Sequence, residues 1–170
     1  MRIKDKIKRP RRPVVVYEIL PPREKDGTLN SYAANISSLL SQTHIDAINI
    51  PEVRDEVARG ERPIKNQIRA EPREFGRLLQ DIVGIEAIIN RVVVHQDMEK
   101  EMTWLEETNK KYGIENLITV GGESRSFKYP GPSVNQALAA ISKDQKLNLL
   151  CGGISIPSRA KESRRLIEKS

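Results

Sequence analysis

The 170-residue sequence holds a single cysteine, two histidines and few aromatic residues, which make up 4% of the chain. One cysteine, Cys151, cannot form an intrachain disulfide, and no group of Cys and His has the spacing of a structural zinc site. No apolar run approaches the roughly 20 residues that cross a bilayer, and the apolar stretch 14–20 ends at Pro21 and Pro22. We therefore expect no disulfide framework, zinc module, signal peptide or membrane span, and a reducing, cytoplasmic setting.

Signature motifs of several enzyme classes are also missing. Gly121 and Gly122 follow an apolar run but lack the G-x-G-x-x-G spacing of dinucleotide-binding folds. The sequence has no Walker lysine, no G-x-S-x-G elbow and no His-Glu-x-x-His. Phosphate-loop, serine-hydrolase and zinc-protease functions therefore have no support.

The net charge of +6 is concentrated at one end of the chain. Residues 1–13 hold seven basic side chains and one acid, so the rest holds 22 of the 29 basic and 22 of the 23 acidic side chains. This pattern predicts a basic, flexible tail over 1–13 and a neutral domain over 14–170. Contact of the tail with nucleic acid, anionic lipid or an acidic partner is an alternative function.

Strands and helices are predicted to alternate along the domain. Apolar, β-branched runs predict strands, and apolar residues at helical spacing predict helices between them. The predicted strands are 14–20, 45–50, 91–95, 114–120 and 147–154. The predicted helices are 31–40, with Asn30 or Ser31 as N-cap, 73–79, 99–112, which Gly113 stops, 133–141 and 157–169, with a long loop over 53–72. This alternation indicates an α/β fold with a parallel sheet, either a barrel or an open doubly wound sheet.

Polar residues are found at the predicted carboxyl ends of the strands, where parallel α/β folds gather their functional side chains. Glu18 stands out because an acid in an apolar strand either pairs with a cation or stays protonated and can serve as a general acid. The serines could equally cap following helices, and the glycines could ease turns. The strand-end residues are Glu18, Asn49, Glu52, His95, Gln96, Asp97, Glu123, Ser124, Ser155 and Ser158.

Four segments, residues 17–23, 113–123, 129–134 and 151–157, occur in the order in which similar segments occur in a known family. They resemble the methylenetetrahydrofolate reductase family, which consists of flavin-dependent (βα)8 TIM-barrel enzymes. Residues 17–23, Tyr-Glu-Ile-Leu-Pro-Pro-Arg, are similar to the opening motif that carries the family's catalytic glutamate. Residues 113–123, 129–134 and 151–157 are similar to its fourth strand, the loop that follows, and its fifth strand. The chain differs from the family at Arg91, Gly121 and Ile156. The resemblance spans about 14–170.

The resemblance implies an oxidoreductase of one-carbon metabolism that reduces 5,10-methylenetetrahydrofolate with a hydride from FAD. Glu18 would protonate the folate as its five-membered ring opens, and Glu123 would lie beneath the flavin. The electron donor would be a reduced nicotinamide or another reductant. A non-catalytic pterin- or flavin-binding or assembly module of the same fold is the alternative. The residues expected to bind the cofactor are Asn49, His95, Gln96, Gly121, Gly122, Ser124, Gly153 and Ser155.

Only about five of the eight β/α units of such a barrel are recognisable in the chain. Five units would leave two open strand edges, which a closed barrel does not have. We therefore expect a fragment of a longer chain, a homo-oligomer, or a partner that completes the barrel.

Overall fold

Five parallel strands form one sheet in chain order, β1-β2-β3-β4-β5. The computed structural model describes residues 2–9, 12–54, 68–122, 126–158 and 160–169. Each strand pairs in parallel with the next along the chain. The strands are β1 (Val16–Glu18), β2 (Ala47–Pro51), β3 (Glu86–Val92), β4 (Asn116–Val120) and β5 (Leu150–Gly153).

A helix lies between each pair of consecutive strands in the sequence, as the alternation predicted. In the described part of the chain, three short 3-10 turns accompany these helices: Glu24–Asp26, Val93–His95 and Gln145–Leu147. The α-helices of the described ranges are α1 (Ile3–Lys8), α2 (Leu29–Leu40), α3 (Pro72–Val83), α4 (Met98–Lys110), α5 (Val134–Lys143) and α6 (Glu162–Lys169).

The strand order distinguishes between the two architectures that the sequence left open. A doubly wound sheet reverses its order at a switch point, where its ligand binds. Here every strand neighbours the next one in sequence, as in consecutive units of a (βα)8 barrel. The prediction of an α/β fold with a parallel sheet is confirmed, and its order is that of a barrel.

The hydrophobic core lies between the sheet and the helices. Ile48 and Ile50 of β2 are fully buried, as is Phe75 of α3. Each such side chain contributes about 1.5–3 kcal/mol when it leaves water. Gly76 allows α3 to approach the sheet closely, because a Cβ there would lie 3.2 Å from the δ-methyl groups of three isoleucines.

Several predicted element boundaries differ from the structure. The third strand begins at Glu86 rather than at Arg91, and the predicted strand residues Val93–His95 form a 3-10 turn instead. The predicted N-cap of α2 was also wrong. Thr28 is the cap, since its hydroxyl oxygen accepts a hydrogen bond of 3.2 Å from the Ser31 amide.

The basic segment forms a helix that contacts the amino ends of the strands, in contrast to the solvated arm expected from the sequence. Ile3 of α1 is 1% exposed, and its amide donates a hydrogen bond to the Glu86 carboxylate. Arg2 pairs with Glu115, which directly precedes β4. The segment docks against the amino ends of the strands because Ile3 is buried there and because its cations pair with acids at the strand starts.

Asp46, directly before β2, receives two more of these basic side chains. Lys6 and Arg12 lie 2.9 and 2.8 Å from Asp46 Oδ1. Among the described basic side chains of residues 1–13, Arg2, Lys6 and Arg12 thus pair with acids of the domain. None of the helices in the described ranges is long and apolar enough to span a bilayer.

Candidate functional site

The sheet has a second face, directed away from the helix-covered core. Alternate residues of a strand share a face, so the residues that flank Ile48 and Ile50 project to this opposite side, the inner face of the barrel arc. The strand register aligns them into rows. One row holds Glu18, Asn49, Ile88, Asn116 and Leu150, and the next row toward the carboxyl ends holds Pro51, Asn90, Ile118 and Gly152.

Glu18 and Asn49 form a hydrogen-bonded pair on the inner face. Glu18 is the last residue of β1 and pairs in register with Asn49. The Asn49 Nδ2 donates a 2.8 Å hydrogen bond to Glu18 Oε2. Asn49 is 8% exposed, whereas Glu18 lies on an edge strand and is exposed. A carboxyl group is thus held by a buried amide while it remains open to a ligand.

Two buried amide oxygens on the inner face have no hydrogen-bond partner among the described residues. They are Oδ1 of Asn49 and Oδ1 of Asn90. Buried polar atoms are nearly always hydrogen-bonded, so such acceptors mark places where a donor is expected. The sequence prediction missed Asn90 because it began the third strand at Arg91, one residue after Asn90. The apolar residues 87–89, directly before Asn90, were the signal available that the strand begins earlier.

His95 and Gln96, two predicted site residues beyond the carboxyl end of β3, have different surroundings. The His95 ring lies edge-on to Tyr129, with ring centroids 5.8 Å apart. Gln96 Nε2 donates a hydrogen bond of 3.0 Å to Glu101 of α4, so the amide faces the helix layer. The structure therefore places His95 in an aromatic contact and Gln96 in a polar cluster behind the sheet.

The glycines after β4 admit close packing of protein groups. A Cβ on Gly122 would overlap the Tyr129 ring, so that ring fills the space over this glycine. A Cβ on Gly121 would lie 3.5 Å from Val134 of α5. The second predicted catalytic acid, Glu123, and its neighbour Ser124 lie outside the described residues. That Glu123 lies beneath a flavin stays a prediction.

At the carboxyl end of β5, Gly152 faces free space and Ser155, beyond the strand, is exposed. Gly153 is the last residue of the strand and pairs in register with Thr119, while Ser155 beyond it is exposed. Gly152 belongs to the inner face, and a Cβ built on it would meet no heavy atom within 4 Å. The inner face is therefore open beside β5, although Gly153 and Ser155 are not brought together with Glu18.

Arg91 faces the helix layer, with its guanidinium buried between two acids. It is 1% exposed and bonds Glu101, which is fully buried, at 2.8 Å and Glu52 at 2.8 Å. Desolvation alone would lower the pKa of Arg91, but the hydrogen bonds and charges of Glu101 and Glu52 outweigh it and raise the pKa. The guanidinium also lies 4.2 Å from the centroid of the Trp104 ring. These contacts assign Arg91 to the framework behind the site.

The single cysteine lies on β5 and contacts the edge of the core. Burial raises the pKa of the Cys151 thiol to about 12, so the thiol stays protonated at neutral pH. Within the described ranges, no group of three or more His, Cys, Asp or Glu side chains could hold a metal ion. The described residues of the inner face therefore offer the chemistry of one carboxyl group, that of Glu18, and of amide acceptors.

No protein-family model matches this chain, and no curated protein sequence matches it. Solved structures do match its fold. One is an uncharacterized protein from Clostridium thermocellum that binds two copies of 5-methyl-5,6,7,8-tetrahydrofolic acid, with a TM-score of 0.69 and 20% identity over 98% of this chain and 53% of that chain. Another is N-acetylneuraminate lyase from Fusobacterium nucleatum, with a TM-score of 0.54 and 13% identity over 91% of this chain and 52% of that chain.

These similarities concern the fold. At such identities they support the TIM-barrel type that was predicted, with five consecutive β/α units in this chain. The chain spans about half the length of each of the two proteins.

Proposed function

We propose that this chain binds a reduced folate on the inner face of its sheet and that Glu18 donates a proton to the bound pterin. The observation that carries the proposal is the Glu18–Asn49 pair at the carboxyl ends of the first two strands. TIM-barrel enzymes place their chemistry at this end. The folate bound by the Clostridium thermocellum protein of the same fold supports the choice of ligand.

The pair gives Glu18 a defined position without removing it from solvent. Asn49 occupies one carboxylate oxygen, Oε2, and leaves the other oxygen to a ligand. A general acid must lie within hydrogen-bond reach of the atom that it protonates. In the reaction implied by the resemblance, that atom is the folate nitrogen released as the five-membered ring opens.

Flavin-dependent reduction of 5,10-methylenetetrahydrofolate is the finer form of this proposal. Reduced FAD, when bound, supplies the hydride in that chemistry. The described residues near the carboxyl ends of the strands do not form a flavin-binding site. Gln96 donates its hydrogen bond to Glu101, and the Tyr129 ring covers Gly122. FAD use, and with it a nicotinamide or other electron donor, therefore stays a prediction. Absorbance of the purified protein near 450 nm, with and without added FAD, is the direct measurement.

The substitution Glu18→Gln tests the proposal. The oxygen of the introduced amide would still accept the Asn49 hydrogen bond, so we expect the Kd for 5-methyltetrahydrofolate from titration calorimetry to stay within about threefold of wild type. Turnover of methylenetetrahydrofolate, with FAD and a chemical reductant supplied, should fall about 10²–10⁴-fold, the usual contribution of a general acid.

Glu24→Gln is the matched control, since Glu24 is an exposed acid of the turn after β1. This substitution should change neither the Kd for 5-methyltetrahydrofolate nor the turnover of methylenetetrahydrofolate. Absence of folate binding by the folded wild-type chain would contradict the proposal. Folate binding without turnover in both wild type and Glu18→Gln would favour the non-catalytic pterin-binding module.

A further inference from the structure

The Asn49 amide has a fixed orientation. Its Nδ2 donates a hydrogen bond to the Glu18 carboxyl group, so its Oδ1 is the free end. That oxygen is buried and has no donor among the described residues, in a side chain that is 8% exposed. A ligand on the inner face would therefore meet an acceptor here, and an N–H group would satisfy it.

Asn90 supplies a second acceptor on the adjacent strand. It lies two residues beyond Ile88, the register partner of Asn49, and therefore on the same face. Strand spacing and rise put the two α-carbons roughly 8 Å apart. Its Oδ1 is likewise buried and without a partner among the described residues. Two amide oxygens can thus converge on neighbouring atoms of one ligand.

The surroundings of this acceptor pair suit a flat ring. Pro51 and Ile118 flank Asn90 in its row, and Ile88 separates Asn49 from Asn116. At the end of the Asn90 row, Gly152 leaves the face open, since a Cβ there would meet nothing within 4 Å. Apart from the amides and the Glu18 carboxyl group, the described part of this surface is apolar, so hydrogen bonding to the amides decides which ring is accepted.

We infer that Asn49 and Asn90 form a paired acceptor that selects a ligand ring with two adjacent N–H donors, the 2-amino and N3–H groups of a pterin. This inference rests on the proposed function and specifies how the ligand is chosen. The pyrimidine edge of a flavin has one N–H between two carbonyl oxygens, and those oxygens would face the amide oxygens. The pair therefore accepts the pterin and rejects the flavin at this position.

The test compares 5-methyltetrahydrofolate with its 2-desamino-2-methyl analogue, in which a methyl group replaces one donor. We expect the wild-type chain to bind the parent about tenfold more tightly by titration calorimetry, because loss of one donor leaves a buried acceptor unsatisfied. Because one acceptor pairs with the 2-amino group and the other with N3–H, one of the variants Asn90→Leu and Asn49→Leu should bring the ratio of the two Kd values close to one. The other variant should weaken binding of both ligands alike. Asn30→Leu, an exposed change in α2, should leave the ratio unchanged.

Gly152→Val adds a steric test. Because the added side chain has free space, the melting temperature should stay the same while affinity for 5-methyltetrahydrofolate falls at least tenfold. Ala34→Val, at an exposed position of α2, is its control.

The possible outcomes separate the inference from the proposed function. Equal affinity of the wild-type chain for parent and analogue would overturn the inference and leave folate binding intact, as would equally tight flavin mononucleotide binding at the same site. Failure to bind either folate would overturn the proposed function itself. Asn49→Leu could fail to fold because Glu18 loses its hydrogen-bond donor. In that case, Asn90→Leu and the affinities of the wild-type chain for parent and analogue still test the inference.

Discussion

At the scale of single residues, the buried Arg91 shows how much the polar framework behind the sheet depends on one side chain. Its guanidinium neutralises Glu101, which has no exposure to solvent, and also holds Glu52. Glu52 in turn accepts a 3.0 Å hydrogen bond from the Val92 amide. Arg91 thus links β3 to α4 and to the turn after β2.

Arg91→Met should destabilise the protein strongly. Removal of one partner leaves Glu101 as an uncompensated buried charge, which costs about 3–5 kcal/mol in the free energy of unfolding. The double variant Arg91→Met/Glu101→Met should recover most of this loss, because neither charge remains buried. Urea denaturation followed by circular dichroism measures the free energy of unfolding of both variants.

Arg77→Met supplies the comparison, since the Arg77–Asp81 pair is about half exposed on both sides. Its effect should stay below about 1 kcal/mol. A double variant as unstable as Arg91→Met would show that packing around Trp104, and not the unpaired charge, is responsible.

The sequence located Glu18 and Asn49 because each is a polar residue at the end of an apolar run. It did not give the orientation of Arg91 or the role of Asn90. Strands buried on both faces carry apolar residues at nearly every position, so the pattern does not show which face a given residue occupies. The register of β3 against β2 decides that, and register follows from the packed sheet.

At the scale of elements, the docking of α1 against the sheet could not be predicted from the composition of the segment. Its cations indicated a solvated arm, and only the packed sheet provides the acids at the strand starts and the pocket that buries Ile3. The helix lies at the amino ends of the strands, whereas the Glu18–Asn49 pair lies at their carboxyl ends. A role for the basic segment in ligand binding is therefore not expected.

Docking of α1 should depend on pH through Asp46. The Val15 amide, together with Lys6 and Arg12, lowers the pKa of this carboxyl from 3.8 to about 2. Since the folded-state pKa is depressed, the stabilisation is complete above the ordinary value of 3.8 and is lost as pH falls from there through about 2. Hydrogen exchange of the α1 amides should accelerate relative to the sheet across that window.

Asp46→Asn should produce the same acceleration at neutral pH, because the amide cannot pair with the two cations. Asp5→Asn is the control on the helix itself, where the side chain is exposed. Unchanged exchange in Asp46→Asn would show that burial of Ile3 alone holds α1.

At the scale of the whole molecule, the two outer strands are the least covered parts of the sheet. All three residues of β1 are exposed, and Val16 and Tyr17 keep 44% and 49% of their surface accessible. Ile154, directly after β5, keeps 43%. Exposed strand edges with apolar side chains favour pairing with further strands. We propose that a second copy or a partner covers them, as a barrel requires.

The chain should accordingly associate with itself as its concentration rises, and light scattering after size exclusion measures this. Tyr17→Lys combined with Ile154→Lys should shift the mass toward that of the monomer, since charged side chains oppose edge pairing. Leu39→Lys, on a 63% exposed residue of α2, should have no such effect. A monomer at every concentration would contradict self-association.

The alternation of apolar strands with amphipathic helices was sufficient to predict the class of fold. It could not separate a barrel from an open sheet, because both alternate in the same way along the chain. The difference lies in which strands become neighbours, and the consecutive order of β1 to β5 resolves it.

That consecutive order also bears on how the chain acquires its structure during synthesis. Register partners on neighbouring strands lie between 28 residues apart, from Ile88 to Asn116, and 39 residues apart, from Ala47 to Glu86. A polypeptide leaving the ribosome amino end first can therefore add each new strand to one already in place, without waiting for distant segments. Growth would proceed in one direction, and every intermediate would present a fresh edge for the next strand to join.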